Sequence, residues 1–204
     1  MIEQNVKFKS DSLTLDGAFF KNDAQDDPRL PIVIVCSGFT GQKNIHPERY
    51  ARFLTKKGFT VFGFDYRGFG ESEGEREHVL IEEQVRDIAN AVAVVHKRAS
   101  EEGRKVVLAG WGMGGGLVLD AYRICQDQVD GLIVMNGFFD AVRVQKALRG
   151  NMAGSNSVPL WRKSGHAWRW VESPRALIRS RSTRLIRSAV NMCTPSWSRH
   201  RVTV

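Results

Sequence analysis

The run from residue 110 to residue 115, GWGMGG, is the segment whose residue types and spacing point most directly to chemistry. It follows a strand-length apolar run and precedes helical spacing, which predicts a sharp turn from a strand into a helix. Backbone N–H groups at a helix start can stabilise negative charge that develops on a bound carbonyl. The central residue, Gly112, has no side chain, so it supplies neither a hydroxyl nor a thiol nucleophile.

The elements that must position this turn alternate along the first 150 residues. Strand-length runs separated by helical periodicity predict βαβ units and a mostly parallel, doubly wound α/β sheet flanked by helices. Such sheets bind ligands beyond the carboxyl ends of their strands, so the loops there are expected to hold the site. The predicted strands are Leu13 to Lys21, Pro31 to Ser37, Phe59 to Asp65, Lys105 to Gly110 and Gly131 to Asn136, and the predicted helices are Pro47 to Lys57, Ile81 to Glu102 and Met113 to Gln126.

Composition favours a globular protein with no membrane span, metal or cofactor. Hydrophobic residues make up 42% of the 204 residues, an ordinary globular content. The sequence has no run of about 18 uncharged apolar residues, and Met1 to Ser10 lacks the apolar stretch of a secretory signal. The three cysteines are widely separated and form neither a CxxC pair nor a Cys/His metal spacing. We therefore expect a cytoplasmic protein with reduced thiols.

The net charge of +8 is distributed unevenly along the chain. Residues 1–150 carry 20 Lys and Arg against 21 Asp and Glu, whereas residues 151–204 carry 10 against one. The second segment also holds four of the five tryptophans and nine serines, with few strand or helix signals. We therefore predict a folded domain over residues 1–150 and a poorly structured, basic Arg/Ser/Trp-rich tail over residues 151–204.

Three loops carry a resemblance to the α/β-hydrolase superfamily. Residues 65–74, DYRGFGESEG, are similar to the DxRGxGxS turn that follows the fourth strand in many members. Residues 36–41, CSGFTG, resemble the HGFxG oxyanion loop, and residues 110–115 stand where the family places its GxSxGG elbow. The resemblance is to the serine aminopeptidase, dienelactone hydrolase and small-esterase branches. It implies ester, amide or lactone hydrolysis, and a sheet that is incomplete at its C-terminal end if it stops near Asn136.

The resemblance implies a site in which Gly112 occupies the position of the nucleophilic serine. The backbone N–H groups of Phe39 and Met113 would form the oxyanion hole. Covalent acyl transfer cannot begin at a glycine, so the resemblance implies a hydrolase lineage with impaired catalysis.

The remaining site candidates are less typical of the family. The acid and the histidine of a triad should follow on later strands, where Asp140 and His166 are the candidates. Neither stands in a context like that of the family, and no strand is predicted before His166. His46 and Trp111 are candidate pocket residues, although His46 also fits a surface position at a helix start.

Three functions stay open on this reasoning. The first is the impaired hydrolase, and the second is a protein that binds an acyl or lactone ligand without a nucleophile. The third is binding of nucleic acid or an anionic surface by the tail, which we rank last because the tail lacks an RNP, KH, zinc-finger or helix-turn-helix pattern. A dinucleotide site at residues 110–115 is not expected, since this turn is not the first βα turn of the sheet.

The unusual composition of the tail also suggests the hypothesis that this segment is translated out of frame. Residues 177–187, LIRSRSTRLIR, can be encoded by codons that read as DPFTIYPLDP two nucleotides later, a peptide of ordinary protein composition. We expect resequencing of the source DNA to find an insertion or deletion near the start of the tail. An intact gene without such a change would contradict the frame-error hypothesis.

Overall fold

The computed structural model of the chain describes residues 1–38, 41–137, 139, 161–164 and 167–170. The main sheet contains six strands, which are β1 (Ile2–Ser10), β2 (Leu13–Lys21), β3 (Ile32–Cys36), β4 (Thr60–Phe64), β5 (Val106–Trp111) and β6 (Gly131–Met135). Their spatial order is β1-β2-β4-β3-β5-β6. Strands β3 to β6 run parallel, and β1 and β2 add an antiparallel edge. The prediction of a mostly parallel α/β sheet is therefore confirmed.

In the described part of the chain, three helices cover the two faces of this sheet: α1 (His46–Leu54), α2 (Ile81–Glu102) and α3 (Met113–Cys125). Helices α2 and α3 pack on one face, where their apolar residues share a core with β3, β4 and β5. Helix α1 packs on the other face through Ala51. Since every residue of β3 and β4 is buried, these strands have the continuous apolar sequences that parallel sheets require.

The helix boundaries follow from local sequence. Helix α2 keeps the predicted bounds because its apolar stripe, which includes Ile88 and Val92, faces the core along its whole length. It ends at Gly103, which adopts a left-handed conformation with φ 65°. Helix α1 is shorter than predicted, because residues 55–57 form a 3₁₀ turn that leads to Gly58. None of the described helices is long and apolar enough to cross a membrane.

The structure adds three strands that were not predicted. Strand β1 was missed because it is an edge strand whose residues are mostly exposed, so its sequence lacks a continuous apolar run. Strands β7 (Trp161–Ser164) and β8 (Ala167–Trp170) pair antiparallel within the basic tail. Their tryptophans favour strands, and β7 places a strand before His166 where we predicted none. The predictions for the rest of the tail concern residues outside the described ranges.

Candidate active site

The turn from β5 into α3 holds Gly112 in a backbone conformation that other residues rarely adopt. Its dihedral angles are φ 58° and ψ −122°. Its N–H donates to the carbonyl oxygen of Met135 on β6 at 3.0 Å, and its own carbonyl accepts the N–H of Gly115 at 3.0 Å. A β carbon added to Gly112 would have no neighbour within 4 Å in the described parts of the chain. Glycine therefore relieves the strain of this turn and leaves open space above it.

The glycines around this turn bring α3 into close contact with the sheet. A β carbon on Gly110 would lie 2.3 Å from the carbonyl oxygen of Gly114. A β carbon on Gly114 would lie 2.2 Å from the carbonyl oxygen of Ser37. Because real side chains cannot approach so closely, only glycine lets the start of α3 rest on β3 and β5 at this point.

Met113 is the first residue of α3, and it is buried. The first N–H groups of a helix have no acceptor within the helix, so the Met113 N–H is a donor beside the open space at Gly112. Its predicted partner in the oxyanion hole, Phe39, lies outside the described residues. Asp140 and His166 also lie outside them, so the predicted roles of all three stay predictions.

The loop after β3 is joined to the loop after β4 through Gly41 and Lys43. The N–H of Gly41 donates to the carbonyl oxygen of Gly38 at 3.2 Å, and the carbonyl of Gly41 accepts the N–H of Tyr66 at 2.8 Å. The N–H of Lys43 donates to Asp65 Oδ1 at 2.6 Å. The part of this loop at Gly41 and Lys43 is therefore held by the turn that resembles DxRGxGxS.

The side chain of Asp65 stabilises that turn by accepting backbone hydrogen bonds. The carboxylate is buried, and its Oδ2 accepts the N–H of Glu71 at 3.0 Å. A β carbon on Gly70 would lie 2.1 Å from the same oxygen, so this close approach requires glycine. The ammonium of Lys43 lies 3.6 Å from Asp65 Oδ2 and also forms an ion pair with Asp16. Sequence reasoning missed Lys43 and Asp16, because their contacts join distant parts of the chain.

The charge around Lys43 is balanced locally. Burial alone would raise the pKa of Asp16, but hydrogen bonds and positive charge from Lys43 and Lys7 lower it below its ordinary value. Burial likewise opposes the charge of Lys43, yet its carboxylate partners raise its pKa. Asp16 and Lys43 are therefore both ionised at neutral pH, and their ion pair helps to hold the loop after β3 in place.

Arg67 extends the same turn to α2 and to the β1–β2 connection. Its Nη2 lies 2.7 Å from Asp87 Oδ1 on α2 and 2.9 Å from Asp11 Oδ2. The guanidinium is buried, and Asp87 is fully buried. Burial opposes the charge of Arg67, but the carboxylates of Asp87 and Asp11 raise its pKa. A buried, multiply bonded pair of this kind fixes geometry, and losing one partner would leave an uncompensated charge.

An aromatic cluster lies beside the turn at Gly112. The rings of His46 and Trp111 are stacked, with centroids 5.7 Å apart and an interplanar angle of 24°. The ring of Tyr50 lies 6.4 Å from that of Trp111. All three residues are partly buried. A β carbon on Gly38 would lie 3.9 Å from His46 Cε1, so the cluster borders the loop after β3.

His46 is the first residue of α1, which agrees with the helix-start alternative, but the residue is partly buried and its ring stacks on Trp111. Burial, together with the charge of Arg49, lowers the pKa of His46, so the imidazole is neutral at pH 7. The structure thus brings the two predicted pocket residues, His46 and Trp111, into contact with each other.

The hydroxyl and thiol groups at the end of β3, among the described residues, are not accessible to a ligand. Ser37 and Cys36 follow each other at the end of β3, and both are fully buried. Burial raises the pKa of the Cys36 thiol far above neutral pH, so it carries no thiolate. Burial also raises the pKa of Cys125 to about 11.

The conformation of Gly112 predicts a specific cost for any side chain there. We expect Gly112→Ala to lower the free energy of unfolding by about 3 kcal/mol, the upper end for strained backbone, because space is open but the dihedral angles are unfavourable. Gly103→Ala is the matched control, since Gly103 also has a positive φ and open space around it. It should cost only about 1 kcal/mol, because it occupies the ordinary left-handed region. Urea denaturation measures both values, and equal costs would contradict the assignment of special strain to Gly112.

Comparisons with known proteins identify the family and support the fold. Residues 27–184 match the family model described as "Serine aminopeptidase, S33". A protein of Escherichia coli, described as "Uncharacterized 31.7 kDa protein in traX-finO intergenic region", is 38% identical over 98 residues, which cover 48% of this chain and 34% of that protein. The chain thus spans about a third of the length of this curated relative.

Two solved structures share the fold. The α/β hydrolase GrgF from Penicillium sp. sh18 superposes with a TM-score of 0.64 at 22% identity, over 96% of this chain and 68% of its own. Est1E from Butyrivibrio proteoclasticus, solved with bound ferulic acid, superposes with a TM-score of 0.60 at 19% identity, over 81% of this chain and 66% of its own. Since the family match covers more than half of the chain, this protein belongs to the S33 serine aminopeptidase family of α/β hydrolases.

Proposed function

We propose that this protein is an α/β hydrolase of ester, amide or lactone lineage whose covalent chemistry is abolished at Gly112. The observation that carries the proposal is the backbone of that residue, with φ 58° and ψ −122° between β5 and α3. This is a sharp strand-to-helix turn of the kind on which the fold exposes a nucleophile. With a hydrogen atom in place of a side chain, the turn has no Oγ to attack a carbonyl carbon.

The electrostatic part of the site would persist without the nucleophile. The Met113 N–H and the N-terminus of α3 carry partial positive charge toward the open space at Gly112. An oxyanion hole and substrate binding alone retain about 10³ to 10⁴-fold acceleration over water in serine hydrolases. Complete triads exceed that value by several orders of magnitude, so any remaining turnover would be slow.

The purified protein tests the loss of covalent chemistry. We expect no labelling by a fluorophosphonate probe, because labelling needs a nucleophile at the elbow. We also expect no turnover of short-chain p-nitrophenyl esters at the rate of a complete triad, and at most the slow acceleration that an oxyanion hole alone supplies. Gly112→Ser supplies the missing hydroxyl in space that is already open, and Gly103→Ser is the control that adds the same group elsewhere. Strong labelling of the unaltered protein would contradict the proposal. Labelling of Gly112→Ser alone would support it and would indicate that the rest of the site is competent.

A second candidate function is binding of an acyl, lactone or carboxylate ligand without turnover. The open space at Gly112 and the partly buried rings of His46, Tyr50 and Trp111 favour it. A carboxylate could accept the Met113 N–H, while a planar group contacts the rings. Ferulic acid, which is bound in the structure of Est1E, has both features and is a suitable first probe.

Ligand binding would stabilise the folded protein. A ligand at about one hundred times its dissociation constant adds about 2.7 kcal/mol, which corresponds to a rise in Tm of about 5–10 °C for a domain of this size. We expect a carboxylate or lactone series to give such a rise, and Trp111→Ala to reduce it by removing the central ring. The absence of any shift across the series would count against this function.

We do not extend the proposal to nucleic acid. The cytoplasmic location stays a prediction from the sequence, and fractionation of cells that express the full gene tests it.

A further inference from the structure

The outer surface of α1 and its following 3₁₀ turn carries four cations around one exposed aromatic ring. Arg49, Arg52, Lys56 and Lys57 are all exposed, and the Phe53 side chain is 63% exposed. We call these five residues the α1 patch. The patch shares α1 with His46 and Tyr50, and the charge of Arg49 acts on His46, but the patch faces outward and its proposed function does not require chemistry at Gly112.

The spacing of the patch puts its members on one side of the helix. Phe53 follows Arg49 by four residues and precedes Lys57 by four, and residues at this spacing share a helical face. The opposite side of the same element is buried through Ala51 and Thr55. The patch is therefore the outward surface of the layer that covers this face of the sheet.

Helix stability accounts for only part of the patch. Cations in the last turn of a helix interact favourably with its dipole, which suits Arg52, Lys56 and Lys57. Arg52 also pairs with Glu48, with Nη2 and Oε1 2.5 Å apart. Neither effect explains Arg49, which lies a turn earlier, or an aromatic ring left largely in water beside four charges.

We propose that the α1 patch docks on an anionic lipid surface. The cations would contact lipid phosphates and other anionic headgroup atoms, and the Phe53 ring would enter the boundary between headgroups and acyl chains. Positive charge complements such a surface, and the exposed Phe53 ring supplies the apolar group that the headgroup boundary accepts. Each cation near an anionic membrane strengthens binding by about fivefold, so the four together dominate the interaction.

Co-sedimentation of the full chain with vesicles tests the proposal. The vesicles are phosphatidylcholine with and without phosphatidylglycerol. One variant changes Arg49, Arg52, Lys56 and Lys57 to Gln. The control changes four exposed cations on other elements to Gln, and these are Lys9, Lys97, Lys105 and Arg123. Both variants lose the same net charge and keep the basic tail unaltered, so they differ only in where the charge is lost.

We expect the patch variant to bind anionic vesicles at least about tenfold more weakly than the unaltered protein, and the control to lose less than about twofold. Equal losses in the two variants would overturn the proposal, since overall charge or the tail would then explain binding. No binding of the unaltered protein to anionic vesicles would also overturn it.

The aromatic ring has its own matched test. Phe53→Ser removes the ring from the patch, and Ile124→Ser removes an apolar side chain of similar exposure, 60%, from α3. We expect a severalfold loss of binding to anionic vesicles for Phe53→Ser and no loss for Ile124→Ser. Thermal unfolding confirms that both variants are folded before they are compared. An unchanged affinity in Phe53→Ser would exclude insertion of the ring.

Discussion

The backbone at Gly112 is the constraint on which the rest of the site depends. The chain must pass from a buried strand into a helix within one residue, and it does so at φ 58° and ψ −122°. This turn places the start of α3 at the carboxyl edge of the sheet, where its N–H groups are available to a ligand. In an enzyme that carries a nucleophile here, the side chain must tolerate the strain. On our proposal, glycine at position 112 removes both the nucleophilic side chain and the backbone strain that a side chain would cause there.

The loops around the turn are held by interactions that do not involve a nucleophile. Asp65 binds the Lys43 backbone and its own turn, and Arg67 joins that turn to Asp87 on α2. These contacts are buried and charge-assisted, so they specify one arrangement of the loops after β3 and β4. A scaffold of this kind can keep its geometry when catalysis is lost. On our proposal, this explains how a DxRGxGxS-like turn can accompany a glycine at the elbow.

The elements that the sequence predicts correctly are those whose burial requires an apolar composition. Strands β3 and β4 are buried throughout, so their apolar runs were visible, and α2 displays an apolar stripe along its whole length. Strand β1 was not predicted, because an exposed edge strand has no such run. The tryptophan-containing strands β7 and β8 were not predicted, because the basic, serine-rich composition of the tail is not typical of strands.

The candidate site was predicted in part for similar reasons. Gly112 could be assigned from a local motif, whereas the ion pair of Lys43 with Asp16 joins residues that are 27 positions apart and carry no local signal. The stacking of His46 on Trp111 likewise depends on how α1 meets the end of β5. Phe39, Asp140 and His166 lie outside the described residues, and their roles stay predictions.

The most direct test of the central claim is intact-mass measurement after incubation with an activated ester. The samples are the unaltered protein and the Gly112→Ser variant. The account predicts no acyl adduct on the unaltered chain, because the elbow has no atom that can form the bond. An adduct that mapped to any residue beside the Met113 N–H of the unaltered protein would contradict it.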